Sequence, residues 1–195
     1  MGPMEGDAGY TWLAALPDTV ESIVADWDLS IGEPIEPGGS LPDLRDLTVT
    51  WAETGRARAA QWPDALDPGI VDEGLRLLVD LAASGERMLL HTDMHPGNVL
   101  AAAREPWLVI DPKPVVGDRG YDAFQLVVHG VRDQGHLGER VAMLHGELDI
   151  AADRLRAWAL ARSVEWALWA GRLDPTTDYA RMCADRARFI ASSRE

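Results

Sequence analysis

Apolar residues recur three and four positions apart over most of this chain, and cluster in short runs only near its middle. Val20, Ile23, Val24 and Trp27 share the first spacing after Leu16-Pro17-Asp18, which predicts a helix over Thr19–Leu29. Ile31–Ser40 holds two prolines and three glycines and reads as a linker. Helical patterning resumes over Leu41–Ala60 through Leu44, Leu47 and Trp51, and Trp62-Pro63-Asp64 breaks it. Asp67-Pro68-Gly69 opens a further helix, whose stripe of Ile70, Gly74, Leu75, Leu78 and Leu81 runs to Ser84-Gly85.

The pattern then changes period. Met88–Leu90, Val99–Ala101 and Trp107–Ile110 read as short strands separated by loop and turn residues. Beyond them the helical spacing returns over Tyr121–Val131, Gly138–Leu148, Ala151–Ala170 and Thr177–Ser192, with Asp149 as the expected N-cap of the third. The fold class expected is therefore α+β, mostly helical with one short β-hairpin. Residues 1–40 form an N-terminal segment and linker, and residues 41–195 the main domain.

Composition narrows the function. Lys+Arg number 18 against 32 Asp+Glu, a formal charge of −14. That balance disfavours a nucleic-acid partner, whose phosphates need basic residues in excess, and suits a cationic small molecule. Hydrophobic residues make up 47% of the chain, an ordinary globular share. No run of 18 apolar residues suggests a membrane span, and the acidic N-terminus lacks a basic leader, so the expected location is the cytoplasm. The single cysteine, Cys183, permits no intrachain disulfide and reads as a small buried residue.

The candidate chemistry lies between the strands. Asp93 sits in a loop after the first strand, Asn98 five residues on, and Asp111 at the end of the third. A hairpin from Val99 to Ile110 returns Asp111 to the end where Asn98 stands. Asn98 and Asp111 then supply oxygen ligands for Mg²⁺, and Asp93 a free carboxylate to accept a hydroxyl proton. Asp, four residues, Asn and then a metal-binding Asp is the order used in phosphoryl transfer by protein kinases.

His91-Thr92-Asp93-Met94-His95-Pro96-Gly97-Asn98 resembles the catalytic loop of aminoglycoside phosphotransferases, H-G-D-x-H-x-x-N. Glu105–Pro114 with its Asp-Pro-Lys-Pro, followed by Val116-Gly117-Asp118 and Tyr121-Asp122, is similar to the streptomycin kinase (aminoglycoside/hydroxyurea resistance kinase) branch. The resemblance implies a protein-kinase-like large lobe and ATP-dependent phosphorylation of an aminoglycoside hydroxyl. It makes Asp93 the catalytic base, Asn98 and Asp111 the Mg²⁺ ligands, and His91 and His95 loop supports. Thr92 replaces the family's glycine, which strains the loop if the position needs positive φ.

Such a kinase also needs a small lobe with a lysine and a loop on the phosphates. The only lysine here is Lys113, and Gly38-Gly39-Ser40 is the nearest thing to a glycine-rich loop. Most of that lobe is expected to be missing, with activity impaired and an apolar surface bared for self-association. The alternative function is an inactive aminoglycoside-binding module. A weaker one is a hydrolase with a metal on His91, Asp93 and His95. Glu165 and Asp174 are candidate contacts to the cationic substrate, and Arg119 to a phosphate or to Asp122. Trp158, Trp166 and Trp169 read first as a packing stripe, with a sugar platform as the alternative. His129, His136 and His145 read as surface or core residues.

Overall fold

The computed structural model describes residues 41–101 and 106–193. The helix expected at Thr19–Leu29, the linker and the boundary at Ser40 lie outside the described residues. Within them the chain runs α1 (Leu44–Gln61), α2 (Pro68–Ser84), β1 (Met88–Leu90), β2 (Val99–Ala101), β3 (Trp107–Val109), β4 (Val115–Gly117), α3 (Gly120–Val128), α4 (Gln134–Leu148), α5 (Ala152–Ala170) and α6 (Asp178–Ser192). No helix among the described residues is long and apolar enough to cross a membrane.

Local chemistry sets the helix starts. The Asp43 carboxylate accepts Arg45 N–H at 3.0 Å, and Asp67 accepts Gly69 N–H at 2.8 Å with Pro68 in the first turn. Thr177 caps α6 through Ala180 N–H. Asp149 departs from expectation. It closes α4 in the left-handed region, at φ 51°, and its N–H bonds His145 O. A short acidic side chain tolerates that conformation, and α5 starts three residues later from Ala151, without a side-chain cap.

Helix α5 is the centre of the body. It packs against α1, α2, α3, α4 and α6, and Leu155, Trp158, Leu160 and Val164 are fully buried. Residues 157–164 are all buried, Arg162 and Ser163 among them, so its middle is enclosed around the whole circumference. Gly74 of α2 meets it closely: a Cβ there would lie 2.6 Å from a Val164 methyl. Only glycine permits that approach.

The strands form two antiparallel pairs. β2 and β3 make the expected hairpin, with Val99 opposite Val109 and Ala101 opposite Trp107. β4 was not anticipated; it pairs with β1, Leu90 opposite Val115 and Met88 opposite Gly117. This pairing brings the chain after the hairpin back beside the loop that precedes it. The outer faces stay bare: Leu89 is 69% exposed and Trp107 66%.

Candidate active site

Antiparallel pairing builds the site. Ile110 N–H donates to Asn98 O at 3.0 Å, so the hairpin closes with Asn98 and Asp111 at one end. Lys113 N–H donates to His91 O at 2.9 Å, extending the β1–β4 ladder and laying residues 111–114 along the loop that holds Asp93. Asn98 Nδ2 donates to the Asp93 carbonyl at 2.9 Å and clamps the loop across its five-residue span.

The two loop histidines hold it from either side. His91 Nδ1 accepts Asp93 N–H at 3.2 Å, so its Nε2 is the donor to Ile110 O at 2.8 Å. That single ring ties Asp93 to the end of the hairpin. His95 Nδ1 accepts Gly97 N–H at 3.1 Å and caps the Pro96–Asn98 turn. Its Nε2 lies 3.9 Å from Asp93 Oδ1.

The loop is strained where a glycine was missed. Thr92 sits at φ 60° and Asp111 at φ 56°. Asp122, in the first turn of α3, offsets the strain at Thr92. Its two carboxylate oxygens accept the N–H groups of His91 and Thr92, each at 2.7 Å. Burial raises the Asp122 pKa, while those two bonds pull it down. Thr92 Oγ1 also donates to Lys113 O. Asp122 was read from sequence only as a pairing partner for Arg119. Instead Arg119 donates to Asp149 O and lies 3.5 Å from Glu86.

Asp118 anchors this layer to the helices. It is buried and accepts from Gly120 N–H, Trp158 Nε1 and, through two nitrogens, Arg154. Sequence reading used it only as part of the family resemblance and gave it no structural role, although an acid just before a helix start was a usable signal.

The electrostatics of Asp93 centre on Lys113, whose Nζ donates to Asp93 Oδ2 at 2.6 Å. This partner holds the Asp93 carboxyl below its ordinary pKa. Asn98 and Asp111 supply oxygen only. The Asn98 amide nitrogen is committed to Asp93 O, which leaves Oδ1 as its outward acceptor, and Asp111 makes no hydrogen bond. An all-oxygen pair of this kind fits a hard divalent cation. The His91–Asp93–His95 metal triplet fails: both His91 nitrogens serve the backbone, and no group of three or more His, Cys, Asp or Glu among the described residues can hold a metal.

A cavity of about 320 Å³ opens beside Asp93, with walls that include His95, Gln125, Trp166, Tyr179 and Arg186. Trp166 Nε1 donates to Tyr179 Oη at 2.7 Å, so of the three tryptophans this one faces the pocket. Trp158 is core, and Trp169 is partly exposed beneath Arg172. Glu165 and Asp174 do not line the cavity. Glu165 pairs with buried Arg162, itself stacked over Tyr121 at 4.4 Å, and Asp174 caps its own turn through Thr176.

Residues 34–173 match the model of a family described as aminoglycoside/hydroxyurea antibiotic resistance kinase. The chain belongs to this family. Among its relatives, a hydroxyurea phosphotransferase of Kitasatospora aureofaciens is 41% identical over 111 residues, covering 57% of this chain and 32% of the relative. A streptomycin 6-kinase of Streptomyces glaucescens is 32% identical over 136 residues, 66% of this chain and 44% of the relative. That of Streptomyces griseus is 40% identical over 92 residues, 44% and 30%. The chain thus spans less than half the length of each of these resistance kinases. No solved structure matches it.

Proposed function

We propose that the chain carries the acceptor-side and metal-side half of an ATP-dependent phosphotransferase, with a protein-kinase-like large lobe, acting on a hydroxyl of a small antibiotic-type molecule. The observation that carries this reading is the loop–hairpin closure, in which Asn98 clamps Asp93 while pairing with Ile110 sets Asp111 alongside. The relatives' names, a hydroxyurea phosphotransferase and streptomycin 6-kinases, support antibiotic acceptors, aminoglycosides among them.

Asp93 would accept the acceptor hydroxyl's hydrogen bond and take its proton as the oxygen attacks phosphorus. With Oδ2 held by Lys113, Oδ1 is the oxygen left for that task. Asn98 Oδ1 and Asp111 would hold Mg²⁺, which supplies charge neutralisation on the phosphates when bound. His91 keeps base and metal ligands in one frame, because it bonds Asp93 N–H and Ile110 O with one ring. The bare faces of Leu89, Leu100, Trp107 and Val109 suit a covering lobe and the apolar faces of a nucleotide base, or self-association where neither is present.

A second reading, an inactive binding module, draws on Lys113. It is the only lysine in the 195 residues, and it is spent on Asp93. Impaired turnover by this chain alone belongs to the kinase reading, and absent turnover to the binding module. Transfer of radiolabelled phosphate from ATP to streptomycin and to hydroxyurea decides between them. The kinase reading expects Asp93→Ala to cut the rate by about 10²–10⁴-fold with unchanged circular dichroism. Rates equal to that control for both acceptors would overturn the kinase reading, and streptomycin binding without transfer would then mark the binding module rather than a relic.

A further inference from the structure

We propose that the chain carries a second small-molecule site, away from Asp93, which binds an aromatic carboxylate with its ring against Trp62 and its anionic group on Arg58. The site is a cavity of about 440 Å³ where the end of α1, the loop after it, the end of α5 and α6 meet. It shares no lining residue with the cavity beside Asp93, and nothing in it depends on Asp93 being a base.

The cavity pairs an apolar lining with a bare aromatic wall. Leu66, Ala167, Leu168 and Ala184 line it and are buried, and none of them offers a side-chain donor or acceptor. Trp62 closes α1, with its N–H bonded to the carbonyls of Arg58 and Ala59. Those bonds fix its backbone, yet the side chain stays exposed at the cavity. A planar ring laid against it sheds water from both surfaces. The volume lies in the range that holds one small organic ligand.

The charged groups on the wall are not equivalent. Arg188 is fixed: it pairs with Asp185 at 2.8 Å and donates to Ala65 O at 2.7 Å, which staples the loop after α1 to α6. Arg181 turns to Asp178, which does not line the cavity. Arg58, in the last turn of α1, makes no side-chain hydrogen bond or ion pair among the described residues, although it is half-buried. A guanidinium partly withdrawn from water without a partner keeps a planar fork of donors, which matches the two oxygens of a carboxylate.

The groups that would favour a cation are weaker. With Asp185 neutralised by Arg188, Asp64 is the remaining acid of the wall, and it stands exposed on the loop, where water and salt screen it. Helices α1 and α5 end here with their carbonyls outward, but the N–H groups of Trp62, Gly171 and Arg172 cap them. In a chain of overall charge −14 the cavity is thus a local cationic spot, with three arginines against two acids.

Titration calorimetry of the full chain with three indoles tests this without any turnover. Indole-3-acetate should bind about 10-fold more tightly than 3-methylindole, and tryptamine more weakly than either. Arg58→Gln should bring indole-3-acetate down to the level of 3-methylindole. Ala184→Leu should weaken both by filling the floor, and if circular dichroism shows that variant misfolded, Arg58→Gln alone decides. Tryptamine binding as tightly as indole-3-acetate overturns the proposal, as does no saturable binding of indole-3-acetate. An indole-3-acetate affinity unchanged in Arg58→Gln puts the ligand elsewhere, such as on the bare strands, and also overturns it. A dimer in sedimentation that Ala184→Leu dissolves would give the cavity to a second copy instead. Phosphate transfer is not read in any of these, so their failure leaves the kinase reading standing.

Discussion

The helical body and the strand-and-loop layer are built by different means. Around α5, order comes from apolar burial: Leu155, Trp158, Leu160 and Val164 are shielded on every side. In the layer that carries Asp93, each strand is three residues long, and β1, β2 and β3 expose most of their apolar side chains. Two non-glycine residues of that layer sit in the left-handed region. What holds it is a short set of polar tethers from Asp122, His91, Asn98 and Lys113. Stability and site geometry can therefore be damaged independently, the first by cavities and the second by loss of single acceptors.

Trp158→Ala should have the largest effect. It opens a cavity in the body and removes one donor to buried Asp118, and large aromatic truncations cost about 3–5 kcal/mol. Chemical denaturation should show this loss in one transition for both regions. A loss under about 1 kcal/mol would contradict the central role of α5.

Asp122→Ala should act mainly on the layer. It strands the His91 and Thr92 amides, at about 1–3 kcal/mol for an unsatisfied buried donor, discounted because the site is half-buried. Hydrogen exchange should speed at those two amides while the α5 amides keep their protection. Uniform acceleration would mean the two regions are not separable in this way.

The strain at Thr92 gives a smaller difference. Thr92→Ala and Thr92→Gly both remove the hydroxyl bond to Lys113 O, but only glycine adopts φ 60° freely. The glycine variant should be the more stable by about 1 kcal/mol. Equal melting temperatures would show that the loop relaxes.

Lys113→Met should cost least. The Lys113 ammonium is largely exposed, so water and salt screen the pair and its contribution is small. Its sign is defined, however. Lys113 lowers the Asp93 pKa, so the pair's contribution is present above the unfolded carboxyl pKa, about 3.9. It is lost as pH falls through the lower folded value. The wild-type advantage should hold at neutral pH and disappear in acid, and the acid limb of any transfer activity should move upward in the variant. A pH-independent difference would point to lost packing by the lysine stem.

Much of this comparison was legible before any coordinates. Periodicity placed all six described helices to within a few residues, and the hairpin followed from two short apolar runs around a turn. The loop acids were legible because Asp93, Asn98 and Asp111 stand at spacings that a hairpin brings together. Asp149 was misjudged, since an acidic residue between two helices serves equally as the end of one or the start of the next. β4 was missed because Val115–Gly117 is too short to show a period, and its partner is β1, on the far side of the hairpin.

The sequence by itself determined the helix boundaries, the loop chemistry and the strain at Thr92. Caps, turns and side-chain periods act within one or two turns of the chain, and their residue types are visible there. Only the tertiary structure decided that Lys113 lies on Asp93, that Asp122 holds the loop, and that Arg186 is left to face the pocket. Those outcomes depend on which charged groups packing brings within bonding distance across 20 or more residues of chain, and on which it leaves over. Neither a period nor a motif encodes that choice, because each acid has several bases within reach until the helices close around α5.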